Sequence, residues 1–379
     1  MRNGLPPISP SARLLCGPGP SNVDPAALEA MGKPMLGHLD PELHEILLDL
    51  VDMLRTVYRA ERGLVLPLQA TGTSGMEAGL ASLVEPGETV IVAVSGYFGA
   101  RIAEMARRCG AEVIEVTADW GEHVPNDRLL AALDDHPDAR LLAVVHGETS
   151  TGCEHPLEAL GAAMRGRDTL LMADCVTTLG GVEFDFDGWG IDYAYSCTQK
   201  CLAAPPGMSP IAVSDRALER IRARRLPVPF SMDLLLLEAY WVERPATYHH
   251  TAPILHIYAL HEVLRRILED GLERRWARHT EAGTYFQQLA WHAGFELLAE
   301  PAHQLAPLTA VRVPDGIDGR AVQTQLLANG IEVGGGLGPD APAIWRVGLM
   351  GPNARTETAD RVFEALAAAV DSQAVAVAG

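Results

Sequence analysis

The sequence predicts an α/β protein: a mostly parallel seven-stranded sheet with helices on both faces, followed by a smaller α+β unit. Two observations carry that reading, and the length allows it. Between residues 65 and 213, short apolar runs alternate with helical stretches, which is the rhythm of a parallel sheet covered by helices. Beyond residue 255 the rhythm changes to long helical pattern and then to mixed short strands and helices. At 379 residues, 48% of them apolar, the chain is long enough for two domains sharing one large core.

Taken in order, residues 1–24 read as an arm, because the prolines and glycines of CGPGPSNVDP exclude regular structure there. The first clear helix has Asp40 as N-cap and Pro41 at its first position, with Leu43, Ile46, Leu47, Leu50, Leu54 and Val57 on one core-facing side. Strands are expected at Val65–Leu68, Thr89–Val94, Glu112–Val116, Leu141–Val145, Thr169–Ala173, Tyr193–Tyr195 and Pro210–Val213. Helices between them include Met76–Val84, Ala100–Cys109 and Pro156–Met164. Helical pattern resumes at Ile254–Asp270 and runs to about His292. It is followed by a strand (Leu308–Val313), a helix (Arg320–Ala328), two strands (Ile331–Val333 and Ile344–Val347) and a last helix (Thr356–Ala368). The expected division is an arm (1–24), a large domain (25–255) and a small C-terminal domain (256–379).

A net charge of −19 without a long basic run argues against nucleic acid or an anionic membrane as partner. No apolar run reaches membrane-spanning length. Arg2 is followed by Pro6, Pro7 and Pro10, so no signal peptide is expected, and the final AVAVAG is not a peroxisomal address. Six cysteines without C-x-x-C spacing read as free thiols in a reducing cytoplasm.

The chemistry centres on DYAYSCTQKCLAAPPG (192–207). Its Lys200 sits among apolar and uncharged polar residues, where desolvation lowers an amine's pKa as Schiff-base chemistry requires. Alone, an exposed loop lysine would be the commoner explanation. Asp174 ends the buried run Leu170–Ala173, and a carboxylate there needs a partner: a protonated pyridine nitrogen, or a turn that it caps. Thr71-Gly72-Thr73-Ser74-Gly75-Met76 follows a strand and opens a helix, which is the form of a phosphate cup. Its glycines at 72, 75 and 79 do not spell G-x-G-x-x-G, and no P-loop lysine is present, so a dinucleotide enzyme is disfavoured. Phe98, also after a strand end, can stack on a ring or be core. Thr149 and Ser150 in HGETSTG offer hydroxyls to a phenolate oxygen or substrate. Glu183, Asp185 and Asp187 lack the final glutamate of a calcium loop and read as a solvated hairpin, so no metal site is expected.

A strand-end aspartate, a lysine 26 residues later and an upstream phosphate cup together resemble the class V, fold-type I pyridoxal-phosphate aminotransferases of the alanine–glyoxylate and serine–glyoxylate group. The matching segments run in family order: GPGPSNV (17–23), GHLDPEL (37–43), TGTSGMEAG (71–79), HGETSTG (146–152), ADCVTTLGG (173–181), TQKCLAAPPG (198–207), YHHTAP (248–253) and RVGLMG (346–351). The resemblance implies that Lys200 is the Schiff-base lysine and Asp174 the pyridinium partner, with Val176 under the ring. Ser74, Gly75, Met76 and Gln199 would hold the phosphate, Phe98 would stack, and Thr149 would lie near the ring oxygen. Tyr248 and Thr251 would reach the phosphate of the other subunit of a homodimer. Arg346 would clamp the substrate α-carboxylate, a bidentate task to which lysine is poorly suited. Some relatives have His in place of Met76 and Trp in place of Phe98, departures that bear on substrate choice.

The implied activity is ping-pong transamination between L-alanine or L-serine and glyoxylate or pyruvate, carried by pyridoxal 5'-phosphate. A transaminase of the same family acting on an aminophosphonate or on pyridoxamine is the near alternative. A cysteine desulfurase is more distant, since Gln199 stands where those enzymes carry His before the lysine. A non-catalytic cofactor-binding regulator is disfavoured by the presence of Lys200, Asp174 and Arg346 together.

Overall fold

The computed structural model describes residues 7–378, with side chains as far as residue 373. The readings built on Arg2, Pro6 and the side chains of the final AVAVAG lie outside the described residues. The chain enters on a two-residue strand, β1 (Leu14–Leu15), and then makes two helices that open with one signal, an aspartate cap before proline. In α1 (Pro25–Met31) the Asp24 carboxylate accepts the Ala26 N–H at 2.9 Å; in α2 (Pro41–Tyr58) Asp40 accepts that of Glu42 at 2.8 Å. Each carboxylate satisfies one of the N–H groups that a first turn leaves unpaired, at the positive end of the helix dipole. Helix α1 is absent from the expected set. At seven residues, burying only Ala27 and Ala30, it presents almost no apolar stripe.

The alternating segment follows: β2 (Leu64–Gln69), α3 (Gly72–Leu83), β3 (Thr89–Val94), α4 (Tyr97–Arg108), β4 (Glu112–Thr117), α5 (Asn126–Asp135) and β5 (Leu141–Val145). A small hairpin, β6 (Gly147–Glu148) and β7 (Cys153–Glu154), precedes α6 (Leu157–Met164), β8 (Leu170–Asp174), β9 (Tyr193–Tyr195) and β10 (Met208–Val213). The seven long strands form one sheet in the order β2-β10-β9-β8-β5-β3-β4. Only β10 runs against its neighbours, β2 and β9. This is the mostly parallel seven-stranded sheet that the sequence predicts. Asp174 pairs with Val145 on one side and Tyr195 on the other, so all three lie at the sheet's carboxyl edge. The chain steps outward from β3 to β4 and then returns to β5, from which it proceeds the other way. At such a switch the loops leaving β3 and β5 diverge and open a crevice above the strand ends.

Helices α7 (Asp215–Arg222), α8 (Leu234–Trp241), α9 (Ile254–Asp270) and α10 (Leu272–His292) lead into a second, antiparallel sheet. Its strands β11 (Leu308–Arg312), β13 (Gly334–Gly335) and β14 (Ile344–Gly348) lie in the order β11-β14-β13. Helix α11 (Gly319–Ala328) precedes β12 (Ile331–Glu332), which pairs in parallel with β1, and α12 (Thr356–Ala378) ends the chain. One apolar cluster spans Ala27 to Trp276; the other joins Cys16 to residues from Ala282 to Ala369. Membership passes from one cluster to the other within α10, between Trp276 and Ala282. Ile254, Ile257, Leu260, Val263, Leu264 and Ile267 of α9 belong to the first cluster, because α9 lies against α1 and α2.

The proline- and glycine-rich stretch is irregular beyond β1, as expected, yet it is tied down along its length. The Cys16 N–H donates to Glu332 (2.9 Å) and the Cys16 carbonyl accepts from Gly348 (2.9 Å); Ser21 N–H donates to Gln199 (2.8 Å) and Asp24 N–H to Ala203 (2.9 Å). It is a strap from the second core across to the Lys200 loop. Among the described residues, no helix is long and apolar enough to cross a membrane.

Helix α6 approaches the segment before β9 so closely that a Cβ at Gly161 would overlap the Trp189 carbonyl, which is backbone and cannot swing away. Gly161→Ala should cost about 2 kcal/mol or more, measured as a lowered Tm. Gly37→Ala, where a Cβ meets nothing within 4 Å, should leave the Tm unchanged.

Candidate active site

Five loops meet above the carboxyl edge, and each is shaped by where its backbone hydrogen bonds go. After β2, Thr71 makes no side-chain cap for α3; its carbonyl takes the N–H groups of Ser74 (2.9 Å) and Gly75 (3.1 Å). Gly72 and Thr73 line a cavity, and their N–H groups have no backbone acceptor among the described residues, at a helix N-terminus suited to an anion. Gly75 is glycine for another reason, since a Cβ there would overlap the Ser209 hydroxyl. Of the residues expected to hold the phosphate, Met76 and Gln199 line the cavity together with Gly72 and Thr73, whereas Ser74 and Gly75 are not among its lining residues.

After β3, the first turn of α4 has no cap of its own and receives one from the loop after β5. Glu148, 1% exposed, accepts the N–H groups of Phe98 (3.0 Å), Gly99 (3.2 Å) and Ser150 (3.0 Å) and the Ser150 hydroxyl (2.7 Å). The Ser150 oxygen in turn accepts the Tyr97 N–H at 2.9 Å. Burial raises the Glu148 pKa while these donors oppose the shift. The pair closes the crevice at its base and fixes the turn that carries Phe98, whose ring lies under the Arg101 guanidinium (5.0 Å).

Asp174, 3% exposed, accepts from the Tyr195 hydroxyl (2.6 Å) and the Val176 N–H (2.9 Å). Desolvation outweighs both donors and pushes its pKa up to about 6. Lys200 is also buried, and that burial lowers its pKa, with the Arg346 charge acting in the same direction. Its ammonium donates to the Pro18 carbonyl of the strap, and a Cβ at Gly19 would come within 2.8 Å of its Nζ. The turn after it is strained, with Ala203 in the left-handed region at φ 62°.

Asp174, Val176, Phe98, Gln199 and Lys200 share one cavity of about 260 Å³ with Gly72, Thr73, Met76, Arg101, Tyr195 and Cys197. The amide oxygen of Gln199 is buried there without a hydrogen-bond partner among the described residues. Arg346, on β14, donates from Nε to the Gly335 carbonyl (2.6 Å) and from Nη1 to the Thr149 carbonyl (3.2 Å), leaving Nη2 without an acceptor among the described residues. Thr149 is thus placed to hold the arginine through its backbone; its side chain does not line the cavity. Tyr248 and Thr251 are exposed and away from this cavity. Glu183 and Asp185 both face Arg59, at 3.1 and 3.8 Å, with Asp185 also accepting the Gly188 N–H, and Asp187 accepts the Glu61 N–H. No cluster fit for a metal occurs among the described residues.

Sequence reasoning placed Gly72 and Thr73 in the cup without giving either a separate role, and it missed Arg101, Tyr195 and Glu148, which depend on tertiary contacts that no local pattern records.

A buried lysine and carboxylate at the carboxyl edge of this sheet, beside a helix N-terminus, define a transferase of fold type I. The family described as Aminotransferase class-V matches residues 30–351, and the chain belongs to it. The alanine–glyoxylate aminotransferase of Callithrix jacchus is 38% identical over 367 residues, covering 96% of this chain and 88% of that protein. The (S)-ureidoglycine–glyoxylate transaminase of Bacillus subtilis (strain 168) is 37% identical over 366 residues, covering 91% and 87%. The crystal structure of an alanine–glyoxylate aminotransferase from Nostoc sp. superimposes with a TM-score of 0.94 at 45% identity, covering 97% of this chain and 98% of that one. The chain is an aminotransferase.

The raised Asp174 pKa has a measurable sign. The folded carboxyl holds its proton more tightly than the unfolded one does, so its ionised form costs stability in cofactor-free protein. The cost is absent below about pH 4, grows between about pH 4 and 6, and then stays at roughly 2–3 kcal/mol. Cofactor-free Asp174→Asn should therefore exceed the wild type in urea denaturation at pH 8, with the advantage vanishing toward pH 4. A variant less stable at pH 8 would contradict this.

Proposed function

We propose that the cavity holds pyridoxal 5'-phosphate and that the chain transfers an amino group from a small L-amino acid to glyoxylate. The reading rests on one juxtaposition: Lys200 and Asp174, each pushed by burial toward its neutral form, lining a cavity that ends at a helix N-terminus. The residues present fit that cofactor. The free N–H groups of Gly72 and Thr73, with Gln199, suit a phosphate; Met76, Phe98 and Val176 suit a ring; and Asp174 lacks the cation that would restore its ordinary ionisation. Bound pyridoxal phosphate supplies the electron sink that makes loss of a Cα proton feasible.

The chain's own residues do the rest. Lys200 Nζ, whose pKa is lowered by burial, is the base placed to take the proton from substrate Cα. Asp174 is fixed by Tyr195 and Val176 so that its remaining lone pairs can hold a proton on the ring nitrogen. Arg346, braced on Gly335 and Thr149, offers Nη2 to the substrate carboxylate. Its pKa falls to about 10 through burial, eased by the Glu148 charge, which still leaves it cationic.

Glyoxylate appears in the names of all three relatives described above, whereas the donor differs, so the acceptor is the better supported half. L-alanine or L-serine is the proposed donor, with (S)-ureidoglycine as the second reading. A matrix of these three donors against glyoxylate and pyruvate tests it. Turnover with glyoxylate should exceed that with pyruvate, and no turnover with any donor would refute the assignment.

The working unit proposed is a homodimer in the reducing cytoplasm, where its six cysteines, all unpaired, would stay thiols. Tyr248 (55% exposed) lies against His38, and the exposed Phe230 stacks on His249 at 4.5 Å, so an apolar surface surrounds this loop. Such a surface fits a second copy whose site Tyr248 and Thr251 complete. Two inactive chains, Lys200→Ala and a Tyr248→Phe/Thr251→Ala double variant, should regain up to one working site per mixed dimer. No recovery despite proven subunit exchange would assign the loop to its own chain.

A further inference from the structure

Behind the Lys200 loop, on the side away from the cavity just described, Ala203, Arg266, Arg275, Arg278, Pro352 and Arg355 enclose a second space of about 480 Å³. Its walls come from both cores: Ala203 follows Lys200, the three middle arginines sit on α9 and α10, and Pro352 and Arg355 lead into α12. Five arginines and three carboxylates line it, so this space is positive on a chain whose net charge is −19.

The carboxylates are already engaged. Arg266 faces Asp24 at 3.7 Å, Arg278 Nη1 pairs with Asp270 at 3.2 Å, and Arg265 takes Glu269 at 3.1 Å. Arg275 has none. It is 8% exposed, donates from Nε to the Gly180 carbonyl (3.0 Å) and from Nη2 to the Cys201 carbonyl, and has no carboxylate in ion-pair range among the described residues. Arg278 Nε is buried without an acceptor, and the exposed Arg355 has no ion pair among the described residues. Burial, and then the Arg278 charge, lower the Arg275 pKa to about 10. A guanidinium buried without a counter-charge leaves desolvation uncompensated. Three arginines with unspent donors around one space suit a ligand that brings several oxygens and more than one negative charge.

We propose that this space is a second binding site, for a compact, multiply charged oxyanion (a phosphoryl group or a polycarboxylate), held by Arg275, Arg278 and Arg355 at the junction of the two cores. The ligand touches no reacting group. It acts through Arg275, whose other donors hold the carbonyls of Gly180 and Cys201, and so braces the strained turn that follows Lys200. Because Arg355 belongs to the second core and Arg275 holds carbonyls of the first, an occupied site ties the two together and raises the stability of the whole.

The test uses protein saturated with pyridoxal phosphate, so that the phosphate cup is already filled. Inorganic phosphate and citrate are titrated separately by calorimetry, at ionic strength held constant with sodium chloride, and the Tm is followed in parallel. Saturable binding of either anion with a rise in Tm is expected; phosphate alone marks a phosphoryl ligand and citrate alone a polycarboxylate. Arg355→Gln and Arg278→Gln should each weaken that binding by about tenfold or more, while leaving turnover without the anion unchanged. Arg355 is exposed, so its replacement does not threaten folding. No saturable binding of either anion overturns the proposal, as does binding undiminished in both variants, which would place the anion elsewhere, for instance on Arg346.

Discussion

A carboxylate only 3% exposed sits at the tip of β8, and much of the site follows from it. Strand β8 lies between β5 and β9, so backbone flanks the terminal Asp174 on both sides and the residue meets the cavity at the strand's end. Among the described residues a hydroxyl and one N–H are its donors, fewer than a buried charge needs. Its pKa of about 6 means that the empty fold carries an electrostatic cost that a cationic ring would remove. Cofactor affinity and fold stability are in that sense one quantity. The same kind of burial that raises the Asp174 pKa lowers that of Lys200.

Glu148 is the instructive contrast. It is equally buried and lies on the adjacent strand's loop, yet it collects four donors, three of them backbone N–H groups. That carboxylate is structural: it stands in for a missing helix cap on α4 and bridges the crevice at the point where strand order reverses. What separates the two roles is the number of donors supplied, not residue type or depth. Removing the Glu148 charge would free the first turn of α4 and with it Phe98, so its effect on the site is one of position.

Much of this architecture was legible because strands and helices write their periods into the chain. Thr89–Val94, Leu141–Val145 and Tyr193–Tyr195 have the boundaries expected from their apolar runs. The reversal of β10 was not legible, since a buried strand reads alike in either direction. Helix α1 carried the same Asp-Pro signal as α2 and was overlooked for want of a stripe. What α9 packs against was not legible, because an amphipathic pattern says that a helix packs, not that it lies on α1 and α2. In the site, the lysine, the aspartate and the aromatic were legible as strand-end residues. Gly75 can be read two ways, because a glycine required for packing against Ser209 looks in sequence like one required for an anion.

The strap shows why such a site resists local reading. Residues 16–24 have no periodicity, yet they bond to β12, to β14 of the second sheet, and to Gln199 and Ala203 on either side of Lys200. The Ser21 hydroxyl reaches the Lys200 carbonyl at 2.9 Å, and Pro18 receives the lysine's own side chain. The loop that holds the reactive amine is therefore braced from the chain's start by the strap and from α10 by Arg275. Neither brace could hold it alone, because the strap fixes the Gln199–Lys200 side of the turn and the arginine fixes Cys201. Since the strap and the Arg275 cavity both contact the second core, any motion of that core relative to the first pulls on the lysine's loop. Reactivity at Lys200 is thus coupled to the packing between cores by hydrogen bonds that can be named.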